Sequence, residues 1–113
     1  MAYVNSAKET STTTGTGDIT LAGAATGFQT LNNSIPTNEF FKYVIELNAG
    51  SEWEVGEGRL SSATNLKRVL VLASSNANAL VNFSAGTKNV WVDLPATDIL
   101  AMQIAFYNRS VPQ

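Results

Sequence analysis

Residues 40–47, Phe40-Phe41-Lys42-Tyr43-Val44-Ile45-Glu46-Leu47, decide the fold class. Phe41, Tyr43, Ile45 and Leu47 recur at every second position, with Lys42 and Glu46 between them. A period of two belongs to a β-strand, whose successive side chains point to opposite faces, so the face carrying Phe41 is expected in the core. Asn48-Ala49-Gly50-Ser51 follows with turn chemistry, and residues 52–60 return with Trp53 and Val55 opposed to Glu52 and Glu54. Strand, short polar turn and strand predict a β-hairpin. Gly56 and Gly58 inside the returning strand mark a bulge or a close backbone approach, because glycine otherwise weakens a strand interior.

Beyond the hairpin and a polar loop at 61–65, residues 66–73 contain the unbroken apolar run Val69-Leu70-Val71-Leu72. Such a run is expected of a strand covered on both faces, which makes this segment the candidate central strand. On the N-terminal side, residues 6–37 are dominated by Thr, Ser, Gly, Ala and Asn and have no helical periodicity. Strands are predicted there at 7–13, 18–21 and 27–31, with a turn at Gly15-Thr16-Gly17 and a loop through Asn32, Asn33, Ser34 and Pro36. On the C-terminal side, strands are predicted at 79–83 and 89–94, the latter with Val90 and Val92 inward, between turns at 74–78 and 84–87. Residues 98–107 are assigned to a final strand, with a short helix capped by Asp98 as the alternative, since Ile99, Met102 and Phe106 are helically spaced.

About eight short strands separated by turns indicate an all-β fold, a β-sandwich of jelly-roll type. The 113 residues fit one domain, 1–113, with arm-like ends at 1–6 and 98–113. A chain this small buries only about two-thirds of its unfolded surface, so a core shared between subunits would help it. Charged residues make up 14% of the sequence, against roughly 25% in a typical soluble domain. A charge-poor surface rich in Ser, Thr, Asn and Ala suits contact with protein, and a homo-oligomer is expected.

Several function classes fall on composition. The net charge is −2 and the basic residues form no cluster beyond Lys67-Arg68, so nucleic-acid binding, which needs a dense basic patch, is not expected. The longest apolar runs fall far short of the ~20 residues that span a bilayer, so no membrane partner is expected. With no His and no Cys, Ser-His-Asp and Cys-His catalysis and Cys-based metal sites are excluded.

A pair of carboxylates drawn from Glu46, Glu52, Glu54 and Glu57, with Trp53 to stack on a sugar, is the one enzyme reading available. Alternating Glu on a hairpin is more simply the solvated face of a strand, and the expectation is no enzyme, no catalytic residue and no cofactor. Gly15-Thr16-Gly17 has part of a phosphate-cradling pattern but no Gly-Lys-Ser/Thr after it, so it reads as a turn. Asp93, Asp98, Asn76 and Asn78 are oxygen donors without EF-hand spacing, and no metal is expected. Aromatic anchors favour interfaces, so Tyr3, Trp53, Trp91, Phe106 and Tyr107 are the candidate contact residues.

Several stretches carry a resemblance. These are Lys8-Glu9-Thr10, Thr12-Thr13-Thr14-Gly15-Thr16-Gly17 with Ile19-Thr20-Leu21, Gly27-Phe28 and Trp53-Glu54-Val55-Gly56. Ala73-Ser74-Ser75-Asn76 and Val81-Asn82-Phe83-Ser84-Ala85-Gly86-Thr87-Lys88 complete the set. In this order, over about residues 7 to 93, the chain resembles a module of small β-rich structural proteins of tailed bacteriophages. The resemblance implies a virion protein made in the host bacterial cytoplasm, with no catalytic residues to carry over. Because the module fills nearly the whole chain, a decoration (cement) protein on the capsid surface is expected. It would act as a homotrimer bound to the major capsid protein; the alternative is a tail-fibre, receptor-binding or adaptor module that contacts a host glycan.

Overall fold

The computed structural model describes residues 6–48 and 50–92. The fold is all-β, with strands β1 (Lys8–Ser11), β2 (Ile19–Thr20), β3 (Gly23–Ala24), β4 (Phe40–Leu47), β5 (Trp53–Ser62), β6 (Asn65–Ser74) and β7 (Lys88–Val92). They form one antiparallel sheet in the order β2-β6-β5-β4-β7-β1-β3, curled into a half-barrel. The described residues thus hold seven of the expected eight or so strands, all in this one sheet. Connecting segments cover its inward face. Leu21, Leu31, Ile35, Val81 and Phe83 pack from connecting segments onto Phe41, Tyr43, Ile45, Leu60, Leu66 and Val90 of the sheet's inward face. Each large side chain buried there is worth about 1.5–3 kcal/mol of transfer free energy.

The hairpin of β4 and β5 is the spine of the sheet. β4 has the predicted limits, and Phe41, Tyr43, Ile45 and Leu47 are all buried. Its turn closes through the Gly50 amide, which donates to the Leu47 carbonyl at 2.7 Å, with Gly50 at φ +82°, a conformation that favours glycine. Gly56 and Gly58 are the close approaches the sequence marked. A Cβ at Gly56 would lie 2.5 Å from the Leu70 carbonyl oxygen and 2.5 Å from Tyr43 Oη, and one at Gly58 would overlap the Lys67 carbonyl oxygen. Gly56 pairs directly with Tyr43, so the missing side chain is the room the tyrosine ring occupies.

Three expected strands differ. Residues 27–31 form a turn in which Gln29 makes one bridge to Ala7, while a hydrogen bond from the Ile35 amide to the Leu31 carbonyl folds both apolar side chains inward. Residues 79–83 contribute only a bridge from Phe83 to Gly15, because the Val81 amide is taken by a carboxylate, as described below. β6 is not a central strand covered on both faces. Its outer neighbour, β2, pairs only with Leu66 and Asn65, and Val69, Leu70 and Leu72 are exposed by 53%, 53% and 38%. Along β5 the register skips Leu72 between Val55 and Gly56 and Val69 between Glu57 and Gly58. These two bulges break the alternation that would have turned every second residue inward. The segment 98–107 lies outside the described residues.

Candidate functional site

The most organised polar centre is buried beneath β5 and β6. Alternation along β5 turns Trp53, Val55 and Glu57 outward and sends Glu54 into the core, where it is fully buried. Glu54 Oε2 accepts from Tyr43 Oη at 2.6 Å, and Oε1 accepts from Arg68 Nη1 at 3.0 Å and from the Val81 amide at 2.9 Å. The Arg68 guanidinium also donates to the carbonyls of Val81, Gly15 and Gly17 and sits 5.4 Å above the Phe83 ring. One ion pair therefore ties β4, β5 and β6 to the loops at 15–17 and 81–83. Its acceptors and donors are filled by protein, which is what a buried pair needs to repay desolvation. Burial, reinforced by the neighbouring carboxylate, pushes the Tyr43 hydroxyl far above its ordinary range and keeps it a proton donor.

Other buried charges frame the core. Glu9 on β1 accepts from the Leu31 amide at 2.9 Å; burial raises its carboxyl above the usual range, and the Leu31 and Gly23 backbone hydrogen bonds partly offset this. Lys88 at the start of β7 is fully buried, and its Nζ has no hydrogen-bond acceptor among the described residues. Loss of water lowers its pKa, with the Glu52 carboxylate pulling the other way.

The four hairpin acids do not share a cleft. Glu54 is in the core, Glu57 faces outward in an ion pair with Lys42 at 2.9 Å, and Glu46 lies opposite Trp53. Glu52 lies at the rim of a pocket of about 280 Å³ lined by Ser51, Glu52, Ser75, Asn76, Val81 and Asn82. Its carboxylate accepts from the Ser84 hydroxyl at 2.7 Å and the Ser84 amide at 2.8 Å, which hold its pKa below the usual value. The expectation of a solvated glutamate face thus fails at Glu54, the counter-ion of a core arginine. Gly15 and Gly17 present carbonyls to Arg68, the opposite polarity to a loop that holds phosphate with amides. Asn78 accepts from the Ser74 amide and Asn76 donates to the Leu80 carbonyl, so both serve the turn after β6. Among the described residues no group of three or more Asp, Glu, His or Cys is placed to hold a metal ion.

The candidate contact residues that are described, Trp53 and Trp91, both fall on the outward face; Tyr3, Phe106 and Tyr107, like Asp93 and Asp98, lie outside the described residues. Trp53 is 37% exposed and Trp91 half-buried. Cross-strand pairing sets Trp91 beside Val44, Val44 beside Val55 and Val55 beside Ala73, an apolar row over β7, β4, β5 and β6. Sequence reasoning missed Val69, Leu70 and Leu72, which extend this apolar surface to the sheet edge. Their unbroken run was the available signal, but it reads the same for a buried strand and an exposed edge. Comparison with family models, with curated proteins and with solved structures returned no match.

Proposed function

We propose that this chain is an assembly protein of a tailed-phage virion, a decoration (cement) protein that binds the finished capsid as a homo-oligomer. The observation that carries the reading is the exposed apolar surface of Trp53, Val69, Leu70 and Leu72 on a chain with few charges. Contiguous exposed apolar surface marks contact with protein. The resemblance over residues 7 to 93 supplies the virion and the major capsid protein as partner, and the jelly-roll arrangement with an eighth strand belongs to the same reading. A protein that binds only the assembled shell stabilises it by mass action, about 2.7 kcal/mol per site at a free concentration of 100 Kd. Particles lacking it are then less heat-tolerant.

A second reading, a tail adaptor or receptor-binding module, is favoured by the pocket at Ser51, Glu52, Ser75, Asn76, Val81 and Asn82. Its hydroxyls and amides suit a hydroxyl-rich ligand such as a host glycan. Quantitative mass spectrometry and symmetry-averaged cryo-electron microscopy of purified virions from cells carrying the gene test both. Hundreds of copies over the shell support decoration, and a handful at one vertex supports the tail module. Absence from the particle overturns both.

A further inference from the structure

The exposed run on β6 offers backbone as well as side chains. One side of β6 pairs with β5 along its length, whereas on the other side β2 covers only Asn65 and Leu66. No described residue hydrogen-bonds to the backbone of residues 69–73 from that side. An open strand edge with apolar side chains is a template for another strand. At the far end of the sheet the last strand, β3, is only Gly23–Ala24, too short to receive a second copy head to tail.

We propose that the β6 edge pairs antiparallel with the β6 edge of a second copy, about a two-fold axis through Val71, joining two sheets into one. A molecule with one usable open edge satisfies it against an identical copy only by a two-fold, which makes the contact isologous. The register is self-complementary: Val71 meets Val71, Leu70 meets Leu72 and Val69 meets Ala73, apolar on apolar. Charge selects the same direction. Lys67 sits at one end of the run, and the antiparallel arrangement sets it opposite Ser75, while Arg68 keeps its charge inside its own subunit. A parallel one would set Lys67 against Lys67, and like charges opposite one another are unfavourable.

This inference rests on the reading of the chain as an assembly protein and gives an even number of copies where the resemblance implies three. It is tested on the full chain by light scattering after gel filtration at micromolar concentration, with hydrogen–deuterium exchange of the backbone amides. The expected mass is twice the 12.0 kDa of one chain. The double substitution Val69→Lys with Leu70→Lys, at two exposed positions, should return the mass of one chain and speed exchange at 69–73 several-fold, with circular dichroism unchanged. If the wild-type chain has the mass of one or three copies, the two-fold is overturned. So it is if the lysine variant keeps the doubled mass, or if residues 69–73 are protected equally in its single chains, since the edge is then filled from within. A single chain still found in hundreds of copies on virions would sink the edge contact and leave the shell reading standing.

Discussion

Replacing Arg68 by methionine keeps much of the side-chain volume and removes the charge that holds the core together. The guanidinium side chain is 2% exposed and its Glu54 partner 0%, so neither charge has water to fall back on. In Arg68→Met the Glu54 carboxylate keeps only Tyr43 Oη and the Val81 amide, the carbonyls of Gly17 and Val81 lose their donor, and that of Gly15 is left with the Phe83 amide. Breaking a buried pair from one side costs about 3–5 kcal/mol. Set against the ~5–15 kcal/mol of a whole domain, that is a large share of its stability. At about 4 °C per kcal/mol for a chain of this length, the melting temperature falls by about 12–20 °C. Urea unfolding followed by tryptophan fluorescence, at one fixed protein concentration, measures it for Arg68→Met, Glu54→Gln and the double variant. The double should cost much less than the sum of the singles. Additivity within about 0.5 kcal/mol, or a single-variant cost below about 1 kcal/mol, would refute the assignment of this pair as the clamp on loops 15–17 and 81–83.

The unpartnered Lys88 predicts the opposite sign: Lys88→Met should raise stability by about 1–3 kcal/mol at neutral pH, read from thermal melts, because a buried donor with no acceptor disappears. Its folded pKa lies below the ordinary 10.5, so the unfolded chain binds the proton more tightly and wild-type stability climbs as pH rises towards 10.5. Lys88→Met should flatten that climb, and an unchanged pH slope would remove Lys88 as its source. Glu9 works the other way: its raised carboxyl favours the protonated native state, so its contribution is complete below pH 4.5 and is lost as pH rises through the folded value. Glu9→Gln should erase that acid-side loss in pH-dependent unfolding. Gly58→Ala should destabilise strongly, since the added carbon meets the Lys67 backbone oxygen, whereas Gly17→Ala, with nothing within 4 Å, should stay within about 0.5 kcal/mol in the same unfolding assay.

Local chemistry along the chain is enough to specify the central hairpin. The period of two in residues 40–47, the turn at 48–51 and the glycines of the returning strand dictated β4, its inward face and the hairpin with β5. Each depends only on neighbours along the chain and on the volume of one residue. Trp53 and Trp91 were legible as contact candidates for the same reason, since alternation separates them from the inward residues.

The remaining features depend on groups far apart in the chain that meet only in the folded protein. Glu54 reads as a solvated acid until Arg68, Tyr43 and the Val81 amide converge on it. That convergence also explains why residues 79–83 do not form a strand, as the amide a ladder would use is already bound to the carboxylate. Val69 to Leu72 read as a buried strand because a run of apolar residues does not say what lies beside it. Whether such a run is core or edge depends on its neighbour across the sheet, and β2 reaches no further than Leu66. Burial is a property of the partner strand as much as of the residue, and the partner is chosen by the fold.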